Sequence, residues 1–204
     1  MKKFSTIALL LLVVLACKKE NNPINKIKKV KKGFENVQQT LDIAKNFEKN
    51  TKRLASLTPL SKENFKTWMP ENLDDLKRTK YEIGKQMGYA KISKVHLEYK
   101  TEDKNKGVSL KIIDGAGNGA SVITMFNLTS QQDLDSESET GYKKTMTFDG
   151  VKVLVEYSNP KYANRSLLKY LLNDRLYVEA RGWQMKPDEL WEYLNKLKIE
   201  KLIK

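Results

Sequence analysis

Polar and apolar residues alternate without a break from Lys94 to Lys100. Val95, Leu97 and Tyr99 fall on one side of an extended chain, and Lys94, His96, Glu98 and Lys100 on the other. Val108, Leu110 and Ile112 repeat the pattern after the polar turn Thr101–Gly107. Further on, Met146–Phe148 and the run Val151, Val153, Val155 and Tyr157 flank Asp149-Gly150. That dipeptide accepts the positive φ angles of a two-residue hairpin. A second hairpin is predicted at Asn173-Asp174, joining Leu168–Leu172 to Leu176–Ala180.

Helical spacing replaces alternation elsewhere. Ser61 can cap a short helix with Glu63 in its first turn and Phe65, Trp68 and Met69 on its apolar side, ended by Pro70. Val122, Ile123 and Phe126 mark another helix. Pro187 suits a first turn, and Leu190, Trp191, Leu194 and Leu197 form a stripe behind it. Near the beginning, Ile27, Val30, Phe34, Val37, Leu41 and Ala44 recur at spacings of three and four. The stripe is too short for an obligate coiled coil and predicts a helix packed on its own domain; the competing reading is a partner-docking helix near the membrane. Together these elements predict a single α+β domain over residues 27–204, with an N-terminal helical region. Its sheet is expected to be mostly antiparallel, with about five to seven strands and helices covering one face.

The first residues follow a different logic. Lys2 and Lys3 precede the unbroken apolar run Ile7–Ala16. As a helix, ten residues reach about 15 Å, half of the roughly 30 Å bilayer core, so the pattern is a secretory signal rather than a membrane span. Val14-Leu15-Ala16-Cys17 resembles the lipobox of bacterial lipoproteins. The resemblance implies cleavage after residue 16 and diacylglycerol on Cys17, usually with a third, amide-linked chain such as palmitate. It also implies a cell-envelope address, the outer membrane first, facing the periplasm or the cell surface. Cys17 is the only cysteine, so no disulfide can form within the chain, and no cysteine zinc site can be built. Two or three acyl chains anchor stably where one binds marginally. Residues 17–26 read as a flexible, lysine-rich tether.

Charge sharpens the picture near the anchor. The formal net charge of +13 falls to +11 once Lys2 and Lys3 leave with the signal, and Lys18–Lys32 alone carries +6. A basic segment beside a lipid anchor attracts anionic headgroups. Nucleic-acid binding, the other common reading of such a charge, lacks any basic-aromatic module here. The segments Met69–Thr79, Ile113–Gly117 and Asn173–Glu179, with Lys18-Lys19-Glu20 after the cysteine, resemble uncharacterised lipoproteins of Bacteroidota-type bacteria. That resemblance carries no activity with it.

Three features invite a chemical reading. Asp114, Gly115, Gly117, Asn118 and Gly119 form a glycine-rich turn between strand and helix, a candidate ligand loop. It lacks the Lys-Ser/Thr of a phosphate loop and the spacing of a dinucleotide fingerprint. Asp133, Asp135, Glu137 and Glu139 are dense in carboxylate but lack the ligand order of an EF-hand, and read as a solvated acidic loop. His96 is the sole histidine, so a typical zinc centre or serine triad has almost no material. No metal, cofactor or catalytic residue is expected. The expectation is a non-enzymatic, lipid-anchored envelope lipoprotein that binds a protein or small ligand near the membrane. The alternatives are a lipid or lipoprotein carrier with an apolar groove and, third, an envelope enzyme.

Overall fold

The computed structural model describes residues 45–84, 92–130 and 133–203. Cys17, the signal, the tether and the Ile27–Ala44 stripe lie outside the described residues. The strands are β1 (Asn72–Leu73), β2 (Leu76–Gly84), β3 (Lys94–Lys100), β4 (Gly107–Asp114), β5 (Asp135–Ser138), β6 (Gly141–Phe148), β7 (Val151–Ser158), β8 (Arg165–Leu172) and β9 (Leu176–Trp183). The helices are α1 (described over residues 45–55), α2 (Lys62–Trp68), α3 (Ala120–Ser130) and α4 (Pro187–Leu197).

All nine strands join one open sheet in the order β1-β2-β3-β4-β9-β8-β7-β6-β5, and every pairing is antiparallel. Two meanders, β1–β4 and β5–β9, are linked through α3 and meet where β4 lies beside β9. The tight turns have the expected chemistry. Asp149 and Gly150 sit at φ 48° and 79°, and Asn173 and Asp174 at 51° and 50°, left-handed as two-residue hairpins require.

Side chains alternate across a strand, so the sheet has two unlike faces. On one, Val95, Leu97, Tyr99, Val108, Leu110, Ile112, Val178 and Ala180 build the main core under α2, α4 and the 3-10 turn Ile199–Ile203. Leu190, Trp191, Leu194 and Leu197 are buried there, as the stripe predicts. α2 is capped by Ser61, which accepts a hydrogen bond from Asn64 N, and it buries Phe65. Hairpin tips brace α4 from outside: the Asp149 carboxylate accepts bonds from Trp191 Nε1 (2.8 Å) and Asn195 Nδ2 (3.0 Å). Tyr193 Oη donates to Asp75 at 2.6 Å.

Ile113 and Tyr177 point to the opposite face, one residue out of phase with Ile112 and Val178. There they join Leu54 of α1, Ile92, Ala120 and Ile123 in a second, smaller core. Helices therefore pack on both faces, α2 and α4 on one and α1 and α3 at one end of the other.

The sheet thus exceeds the five to seven strands expected, and helices do not keep to one face. The three strands that escaped prediction have little alternation to read. β1 has two residues, β2 buries only Leu76 fully, and β5 is exposed throughout. The stretch read as an acidic loop contains this edge strand. β8 and β9 each run three residues beyond their expected ends, to Arg165 and Trp183.

Candidate functional site

Among the described residues, the second face of the sheet carries no helix away from α1 and α3. Its outward positions hold ten lysines and arginines against four glutamates, among them Lys94, Lys111, Lys143, Arg165, Lys169 and Arg181 against Glu82, Glu98, Glu156 and Glu179. Some are paired: Lys100–Glu98 at 3.5 Å, Lys143–Glu156 at 3.0 Å and Arg181–Glu179 at 2.8 Å. Arg165 is exposed and has no hydrogen-bond or ion-pair partner among the described residues.

The register arranges these side chains in rows that run across the strands. One row reads Lys100, Gly107, Trp183, Arg165, Ser158, Gly141 and Ser138. The next reads Glu98, Ser109, Arg181, Leu167, Glu156, Lys143 and Ser136. Glycine and serine are short, and the longer residues around them stand up as walls. The result is a trough of about 530 Å³ running from β4 and β9 across to β5. A smaller depression of about 260 Å³ shares Ser109 and Arg181 with it and continues past Lys111, His96 and Glu82.

Trp183 occupies one end of the trough for a reason visible in its neighbour. A Cβ at Gly107 would come within 2.2 Å of Trp183 Cζ2, so only glycine at 107 lets the indole lie against β4. Trp183 remains partly exposed, with Lys100 Nζ over its ring, 5.6 Å from the centroid. In the smaller depression, two rows from Trp183, burial alone would raise the Glu179 carboxyl, but hydrogen bonds from Arg181 and Tyr177 outweigh burial and hold it below the usual value.

The glycine-rich loop lies elsewhere and is engaged by the protein itself. Asp114 is fully buried and accepts from Leu60 N (2.7 Å), Ala116 N (3.1 Å), Arg175 Nε (2.8 Å) and Arg175 Nη2 (3.0 Å). The Asp114 hydrogen bond raises the Arg175 guanidinium further above its usual value. Gly115 N donates to Arg175 O, and Gly119 N to Ala116 O. Gly117 sits at φ 59°, and a Cβ at Gly119 would be 2.0 Å from Asp114 O. Asn118 is exposed. These contacts account for Asp114 and the three glycines in structural terms, without a ligand.

His96 lies on the polar face, as its strand phase predicts, half buried, with Nε2 2.9 Å from Ser109 Oγ. No carboxylate is hydrogen-bonded to its ring among the described residues, so the pair lacks the third member of a triad. The acidic stretch is neutralised by lysines: Asp133 by Lys152 at 2.9 Å, and Glu137 and Asp135 by Lys144 at 2.7 and 3.5 Å. Among the described residues no three carboxylate, histidine or cysteine side chains group to hold a metal.

Sequence reasoning missed Arg165, Arg181 and Trp183 because all three fall beyond the strand ends it drew. The available signal was in β9 itself, where Tyr177, Glu179, Arg181 and Trp183 alternate with Leu176, Val178, Ala180 and Gly182. A comparison with known proteins finds no matching protein-family model, no matching curated protein and no matching solved structure.

Proposed function

We propose that the chain is a lipid-anchored, non-enzymatic binding protein of the bacterial cell envelope, which holds a protein or small ligand near the membrane on the open face of its sheet. The observation that carries this reading is the cationic face, uncovered among the described residues, with its trough. Ten cations stand there against four carboxylates, and Gly107 admits a partly exposed indole at one end of the trough. The carrier alternative needs an apolar groove between sheet and helices. That space is filled by Tyr99, Leu97, Leu110 and Leu190, all fully buried, which favours the polar face instead.

The lipobox-like Val14–Cys17 supports the anchor, and no described helix is long and apolar enough to cross a membrane. The outer membrane, in either leaflet, is the address this reading favours. Two experiments test it. In a bacterial host, Cys17→Ala abolishes incorporation of labelled fatty acid; continued labelling removes the anchor from the proposal. Crosslinking and pull-down of the membrane-held protein recovers a ligand or partner that Arg165→Glu with Arg181→Glu releases. Equal recovery by the double variant would mean that binding lies on another surface.

A further inference from the structure

We propose that the open-face trough binds an acidic oligosaccharide, lying across the strands with a carboxylate on Arg165 and a sugar ring on Trp183. This deepens the binding reading above and rests on it. The trough lacks a continuous apolar lining. Its lining mixes Leu167 with Gly141 and the hydroxyls of Ser109, Ser136, Ser138 and Ser158, so hydrogen-bonding groups interrupt the apolar surface that an acyl chain would need. A ligand that carries both hydroxyls and apolar ring faces can exchange its water for these groups and still cover the apolar part.

The charge comes from Arg165, adjacent in register to Trp183 on one side and to Ser158 on the other. Its guanidinium is exposed and has no partner among the described residues, and a planar fork of donors fits a carboxylate through two parallel bonds. Arg181 one row away is already held by Glu179, and Lys143 by Glu156, so Arg165 is the cation left for an incoming anion. Trp183 is partly exposed, and the part of its indole left open by the Lys100 ammonium over the ring is an apolar surface for one face of a sugar. The same ammonium makes the position unfavourable to a cation and suited to an anionic chain.

Shape selects an extended ligand. From β4 to β5 the trough crosses five strand intervals, about 24 Å at roughly 4.8 Å each, which suits several linked sugars rather than one.

The test uses the full-length protein in detergent micelles and a uronic-acid tetrasaccharide, compared with the same tetrasaccharide after its carboxyls are reduced to neutral alcohols. Calorimetry should detect the acidic sugar and find the neutral one about tenfold weaker or more, the loss of one charge-assisted bidentate contact. Arg165→Ala should weaken the acidic sugar by a similar factor without moving the thermal midpoint, since its exposed side chain has no hydrogen-bond or ion-pair partner among the described residues. Trp183→Leu should weaken both sugars alike. Absence of binding by the acidic sugar, equal binding of the neutral one, or indifference to Arg165→Ala overturns the inference. Anionic phospholipid vesicles and an acidic peptide form the control arms. If one of them binds through Arg165 while the sugar does not, the saccharide assignment falls and the open-face reading stands. If none depends on Arg165, both fall.

Discussion

Leu110 and Lys111 are neighbours on β4 and belong to different worlds. Leu110 is sealed under α4 in the main core, whereas Lys111 stands on the open face beside His96 and Glu179. The same period-two alternation produces both faces, and only the company each face keeps distinguishes them. On the covered side the sequence is constrained by packing, because each side chain must fill a space shared with α2, α4 or the final turn. On the open side packing asks for little, so cations, short hydroxyls and a supported indole are free to serve binding.

The largest expected effect is at the seam between the two cores. Asp114 ends β4, takes the Leu60 amide from the main-core side and the Ala116 amide from the turn that starts α3, and is balanced by Arg175. Arg175→Ala leaves a buried carboxylate uncompensated and should cost about 3–5 kcal/mol. Denaturant melts measure it. A shift below about 1 kcal/mol would mean that the two cores hold without this link, and the contrast between faces would then be one between separately stable layers.

Next comes the pair that opens the comparison. Leu110→Ala should cost about 2–5 kcal/mol through lost burial and the cavity left behind. Lys111→Ala should stay within about 0.5 kcal/mol, as surface changes do. Equal costs at the two positions would break the division between a packed face and an open one.

The same contrast decides what the sequence could reveal. Covered strands were legible because Val95, Leu97 and Tyr99 repeat against charged neighbours, and α4 was legible because Pro187 and its leucine stripe agree. Edge strands were not. β5, Asp-Ser-Glu-Ser, buries nothing, and carboxylates on an edge deter pairing with other chains without announcing a strand. The trough was illegible for a further reason. Trp183, Arg165, Ser158 and Gly141 stand in one row through four strands, and nothing local in the chain states that register. A glycine at 107 acquires its meaning only when Trp183 is seen against it.

The smallest effect concerns two carboxylates, one for each face. Asp149 braces α4 on the covered side, and hydrogen bonds from Trp191, then Asn195, lower its carboxyl below the usual value. Glu179 on the open face is lowered too, although burial opposes the bonds from Arg181 and Tyr177. In both, folding favours the ionised form. The stability each contributes is therefore complete above the unfolded values, about 3.9 for Asp and 4.3 for Glu, and is lost as pH falls through the lower folded values. Thermal midpoints of the parent, Asp149→Asn and Glu179→Gln at about pH 7, 5 and 3 test this. At the two higher values the parent should melt above both variants, and the gaps should narrow at the lowest. Glu179 should show the smaller gap, because burial opposes the ionised form there more strongly than it does at Asp149. Gaps that persist undiminished at the lowest pH would assign the effect to shape and neutral hydrogen bonding, and remove charge from the bracing of α4 by the β6–β7 hairpin.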